Sequence, residues 1–113
     1  MKEKNVVIEK TVILGENVKI EDNVKLLGNC FIGDGTTIRS GSRLIDVVVG
    51  EKTIVDNSII EKTSMGKGCK IGPFAHIRPN CIFGDNVKIG AFVEIKNSFI
   101  GNGTKVPHLS YVG

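Results

Sequence analysis

The sequence predicts an all-β fold, a parallel β-helix of hexapeptide repeats with about six coils of ~18 residues each. Three observations carry that prediction. Large apolar residues recur every six positions along the whole chain, the residue after each is often glycine, and the residue four places on is small or β-branched. Neither the 3.6-residue period of a helix nor a plain alternation fits this pattern.

The apolar column opens with Ile8, Leu14, Ile20, Leu26, Ile32, Ile38 and Leu44. It continues through Val49, Val55, Ile60, Met65, Ile71, Ile77, Phe83, Ile89, Ile95, Ile100, Val106 and Val112. Steps of five residues start at Leu44, Val55, Ile60 and Ile95, and the remaining steps are six. Each hexad is read as one flat face of a triangular coil, with the large side chain filling the interior. The glycine column (Gly15, Gly33, Gly50, Gly66, Gly72, Gly84, Gly90, Gly101, Gly113) is expected to supply backbone freedom at the bends. The small column includes Val24, Thr36, Ser42, Thr53, Ala75, Val87 and Val93, and it suits the narrow corners of the coil. Cys30, Cys69 and Cys81 fall in the same column, so they read as buried small apolar residues.

The domain boundaries follow from this phase: residues 1–5 form an N-terminal arm, and residues 6–113 form a single β-helix domain. With 15 Lys and Arg against 12 Asp and Glu, the chain is only mildly basic, which argues against a polybasic nucleic-acid surface. One Tyr and no Trp leave few rings for base stacking. No window approaches the roughly 18 apolar residues of a membrane span, and the N-terminus lacks the apolar centre of a signal peptide. The expectation is a cytoplasmic protein. An odd count of three cysteines argues against a disulfide framework, and no cysteine cluster has metal-ligand spacing. Two histidines are too few for the three-histidine zinc site of β-helical carbonic anhydrases. No metal is expected.

Three segments are more specific than a generic hexad: KIGPFAHIRPN from Lys70, NVKIGAFVEIKNS from Asn86 and GTKVPHLSYVG from Gly103. Together they closely resemble the acetyltransferase domain of the bacterial bifunctional N-acetylglucosamine-1-phosphate uridyltransferase/glucosamine-1-phosphate acetyltransferase. The resemblance runs from about Val6 to the last residue. It implies a left-handed coil, a homotrimer, and acetyl transfer from acetyl-CoA to glucosamine 1-phosphate on the way to UDP-N-acetylglucosamine and the cell wall. Carried over residue by residue, Arg78 and Lys96 match positions that hold the sugar phosphate. Tyr111 matches a residue lining the same pocket, and His108 matches the general base that deprotonates the amine.

The repeat register tests this assignment independently. Ile77 to Ile95 spans three full hexads, so Arg78 and Lys96 stack one coil apart on one corner, about 4.8 Å between backbones. Two adjacent cations repel, and a phosphate between them relieves the repulsion; a planar guanidinium and a mobile ammonium both suit phosphate oxygens. A plainer alternative pairs Arg78 with Glu61, one coil below in the same column, as a surface ion pair. His108 suits removal of a proton from an amine near neutral pH, and its alternative is a solvated surface histidine. Pro107 restricts the backbone just before it. Tyr111 offers a hydroxyl to a phosphate oxygen, or else caps the coil as an aromatic.

The chain also departs from the pattern it resembles. These 113 residues hold no Gly-rich nucleotide loop, so no uridyl transfer is expected on this chain. The resembled domain continues for several coils past the position of Gly113, and those coils supply an asparagine near the amine and most of the acetyl-CoA site. This chain is therefore expected to hold the sugar-phosphate part of an acetyltransferase site without being catalytically complete alone. The competing expectation is a non-catalytic trimeric β-helix that acts as a scaffold or binding module.

Overall fold

The computed structural model describes residues 3–113, which form a three-sided solenoid 36 Å long and 21 Å across. Nineteen strands of two or three residues stack into three parallel sheets, and every pairing is between strands one coil apart. The first sheet has seven strands, from Val7–Ile8 to Tyr111–Val112. The second runs from Ile13–Leu14 to Phe99–Ile100 and the third from Lys19–Ile20 to Lys105–Val106, with six strands each. Among the described residues no helix is long and apolar enough to cross a membrane.

The apolar column is the core. On the first sheet Ile8 pairs with Leu26, Leu26 with Leu44, Leu44 with Ile60, Ile60 with Ile77, Ile77 with Ile95 and Ile95 with Val112. The other two sheets keep the same inward phase, and Ile32, Ile38, Val49, Val55, Ile71 and Ile89 are buried. Each fully buried side chain of this size contributes about 1.5–3 kcal/mol relative to exposure. Burial fades at the first coil, where Ile8 and Leu14 are 40% and 41% exposed and pair on one side only among the described residues.

The small column lies at the corners, where its polar members bridge successive coils. Thr36 donates to the Gly50 carbonyl at 2.8 Å, and its hydroxyl accepts from the Thr53 amide at 3.2 Å. The Thr53 hydroxyl in turn accepts from the Cys69 amide at 3.3 Å. The three cysteines are free and buried, and burial pushes the Cys30 and Cys69 thiols above their ordinary value by disfavouring the thiolate.

The structure corrects the reading of the glycine column. Of those nine glycines only Gly72 has a positive φ. The left-handed residue of a six-residue corner usually lies three places after the apolar one, as at Asn17, Asn23, Lys52, Asn80, Asn86 and Gly103. The glycines one place after the apolar residue serve close approach between coils. A Cβ on Gly33 would lie 2.7 Å from the Glu51 amide nitrogen. A Cβ on Gly66 or Gly84 would collide with the side chain of Asp85 or Asn102 in the coil above. Those side chains reach down over the glycine to accept the next amide: Asp85 from Lys67 at 3.0 Å, and Asn102 from Asp85 at 2.7 Å.

The four five-residue steps have one cause. Asp46, Asn57, Lys62 and Asn97 each take positive φ two places after the apolar residue, which turns the corner with one residue fewer. The small inward position then moves to Val47, Ser58, Thr63 and Ser98, three places after the apolar residue, so counting by four misses it. Val47, Ser58 and Thr63 are all buried.

Candidate sugar-phosphate face

Arg78 and Lys96 leave the first sheet on the same side, immediately after the buried Ile77 and Ile95. The Arg78 amide donates to the Ile95 carbonyl at 2.7 Å, and the Lys96 amide donates to the Val112 carbonyl at 2.9 Å. These bonds stack Lys96 directly over Arg78. Arg78 is exposed and Lys96 half-buried. The ion pair that forms is with Glu94 in the coil above, not with Glu61 below: Arg78 Nη1 lies 3.2 Å from Glu94 Oε2, with both side chains near half exposure. The register places Glu61 beneath Arg78, but the guanidinium is directed upward to Glu94. Such a solvated pair is worth about 0–1 kcal/mol. Lys96 has no ion-pair partner among the described residues.

Tyr111 heads a vertical column on the outer face of the first sheet, above Glu94 and His76. An ideal Cβ on Gly113 would lie 2.7 Å from the Tyr111 hydroxyl oxygen, so the hydroxyl leans over the strand end that lies above Lys96. The structure thus brings Arg78, Lys96 and Tyr111 to one edge of the first sheet. His108 lies at the opposite edge, in the turn before the Tyr111–Val112 strand, exposed and stacked over Gly90. The five residue steps from His108 to Gly113 span at most ~17 Å when extended. His108 is therefore separated from the two cations along the direction of the Tyr111–Val112 strand, at the far end of that face.

A shallow groove of about 450 Å³ lies on this sheet, with Glu94 and Tyr111 on its floor. Its wall is a feature missed in the sequence reading. Phe74, Phe92 and Leu109 occupy the same corner of three successive coils, all with φ near +60°. They are 51%, 61% and 75% exposed, and the two rings stack with centroids 5.3 Å apart. Lower coils carry Asn23, Gly41 and Asn57 at this corner. The switch to bulky residues was legible in the sequence as a third position after Ile71, Ile89 and Val106. Among the described residues no group of three or more His, Cys, Asp or Glu side chains is arranged to hold a metal ion.

The fold and the repeat define a three-sided parallel β-helix domain built of hexapeptide repeats. Residues 2–102 match the family model described as GMPPB C-terminal domain, and the chain belongs to that family. It is also similar to bifunctional protein GlmU. Identity is 58% over 73 residues to the protein of Pelotomaculum thermopropionicum, covering 65% of this chain and 16% of that one. It is 49% over 86 residues to the protein of Clostridium botulinum, covering 76% of this chain and 19% of that one. The chain thus spans less than a fifth of the length of these curated relatives. Among solved structures, the UDP-N-acetylglucosamine acyltransferase from Campylobacter jejuni superposes with a TM-score of 0.67 at 19% identity, covering 96% of this chain and 66% of that one. The acetyltransferase domain of PglB from Neisseria gonorrhoeae, in complex with acetyl coenzyme A, gives 0.56 at 16% identity, covering 96% and 54%. The coil is accordingly the left-handed β-helix of these acyltransferases.

Proposed function

We propose that this face of the chain is the acceptor side of a sugar-phosphate N-acetyltransferase, working in the cytoplasm as a homotrimer with acetyl-CoA as donor and glucosamine 1-phosphate or a similar sugar phosphate as acceptor. The observation that carries this reading is the stack of Lys96 on Arg78, with the Tyr111 hydroxyl leaning over it. Three donors of fixed backbone position then share one edge, a layout suited to the oxygens of a phosphate monoester. Arg78 must exchange Glu94 for the ligand. The solvated pair is worth at most about 1 kcal/mol, whereas a charge-assisted fork to phosphate is among the stronger hydrogen bonds, so the exchange favours phosphate.

In this reading the ligand lies across the Tyr111–Val112 strand. Its phosphate meets Arg78 and Lys96, and its amine faces His108. An ammonium has no lone pair, so the amine must lose a proton before attacking a thioester, and His108 accepts that proton. Base catalysis of this kind contributes typically ~10²–10⁴-fold. Transfer also requires the donor to be held within reach of the amine, and the face described accounts for the acceptor side. The second reading, a scaffold or binding module without catalysis, is favoured by the Arg78–Glu94 pair, which occupies the guanidinium without any ligand.

Calorimetric titration separates the two. Glucosamine 1-phosphate is expected to bind the chain while glucosamine does not, and Arg78→Ala or Lys96→Ala is expected to weaken binding at least about tenfold, the loss of one charge-assisted contact. Equal affinity in all three proteins, or no binding to the unaltered chain, would leave the scaffold reading.

A further inference from the structure

The outer face of the third sheet carries a feature outside that site. Lys70 pairs in register with Lys88, and Lys88 with Lys105, so three lysines stand in single file on consecutive coils. All three are exposed, and none takes part in an ion pair among the described residues, where the pairs are Arg39–Asp56 and Arg78–Glu94. Like charges directly opposite one another in a sheet are destabilising. The lower coils of the same face carry Lys19, Thr37 and Ile54, so the fold itself does not ask for lysine there. The nearest acid in the preceding corner, Asp85, is turned down to accept the Lys67 amide at 3.0 Å. On the other side the strands are followed by Gly72, Gly90 and Pro107, which leave the flank of the file low and flat. The file also concentrates a wider asymmetry: residues 57–113 hold seven Lys and Arg against three Asp and Glu, while residues 1–56 hold eight against nine.

We propose that the Lys70–Lys88–Lys105 file binds a phosphoanhydride chain, the di- or triphosphate portion of a small molecule. Size favours this occupant over a macromolecule. Two strand spacings make the file about 10 Å long and one side chain wide, whereas a stable macromolecular interface needs about 800 Å² on each partner. A phosphoanhydride chain places several negative charges within that length, and lysine ammoniums on flexible stems converge on it as point charges. His108 lies three residues beyond Lys105. A ligand seated on the file therefore ends near the corner that leads to the sugar-phosphate face.

The test is calorimetric titration of the chain with sodium tripolyphosphate, ADP and orthophosphate at low and moderate salt. Tripolyphosphate is expected to bind at least tenfold tighter than orthophosphate, with affinity falling as salt rises. The triple variant Lys70→Gln, Lys88→Gln, Lys105→Gln is expected to lose at least tenfold, while an Arg78→Ala, Lys96→Ala variant retains the affinity. ADP binding with the same lysine dependence identifies a nucleoside diphosphate as the source, and tripolyphosphate binding alone identifies an inorganic chain. The triple variant is expected to keep or raise its melting temperature, since it removes repulsion, so lost binding cannot be assigned to unfolding. Unchanged affinity in the triple variant, or loss only in the Arg78, Lys96 variant, would overturn the proposal. So would binding to anionic vesicles or duplex DNA with none to tripolyphosphate.

Discussion

Gly50→Ala is expected to destabilise the protein by about 3 kcal/mol or more, enough to prevent folding of a domain of ordinary marginal stability. The added methyl would fall closer than 3.0 Å to the carbonyl group of Gly66 and 2.7 Å from the Lys67 amide nitrogen. Both are backbone groups of the next coil, held by the hydrogen bond that the Gly50 N–H donates to the Met65 carbonyl at 3.0 Å and by the one that the Gly68 N–H donates to the Glu51 carbonyl at 2.8 Å. A flexible side chain could swing aside, but this strand cannot move without breaking its ladder. Gly101→Ala is the matched control. It occupies the same column just after the last described strand of its sheet, where no described atom lies within 4 Å of its added Cβ, so its effect in this chain is expected within about ±0.5 kcal/mol. Thermal or denaturant unfolding of the two variants checks the pair. Similar losses at both positions would show that the column serves something other than coil-to-coil approach.

Ile77→Ala is expected to cost about 2–5 kcal/mol, the range for removing a large aliphatic side chain from a core. Ile77 is fully buried between Ile60 and Ile95. In a solenoid each coil contacts only its neighbours, so the loss falls on the interfaces above and below. Those are the interfaces that hold Arg78 beneath Lys96. The variant is therefore expected to weaken sugar-phosphate binding as well as stability, measured by denaturant titration and ligand titration on the same preparation. Ile13→Ala, at 60% exposure, is expected to change stability far less.

The core was legible in the sequence because one column repeats without a gap, and every inward pair on the first sheet falls where the spacing put it. The cysteines were legible for the same reason. The corners were less so. Asn and Gly signal a left-handed turn, but Lys52, Phe74, Phe92 and Leu109 adopt it without any such signal, because the coil geometry imposes the conformation on whichever residue stands there. The stacking of Arg78 and Lys96 followed from the repeat. The pairing of Arg78 with Glu94 did not, since register supplies carboxylates both below and above and leaves the guanidinium's direction to its rotamer. The separation of His108 from the two cations was hidden similarly: one turn of coil brings all three to the same sheet but to opposite edges of it.

The most direct measurement is a crystal structure of the chain with glucosamine 1-phosphate. The expected result has the phosphate within hydrogen-bond distance of Arg78 and Lys96, Glu94 released from Arg78, and the amine directed toward His108. A ligand bound elsewhere, or an Arg78–Glu94 pair left intact beside an empty edge, would contradict the assignment of this face to a sugar phosphate.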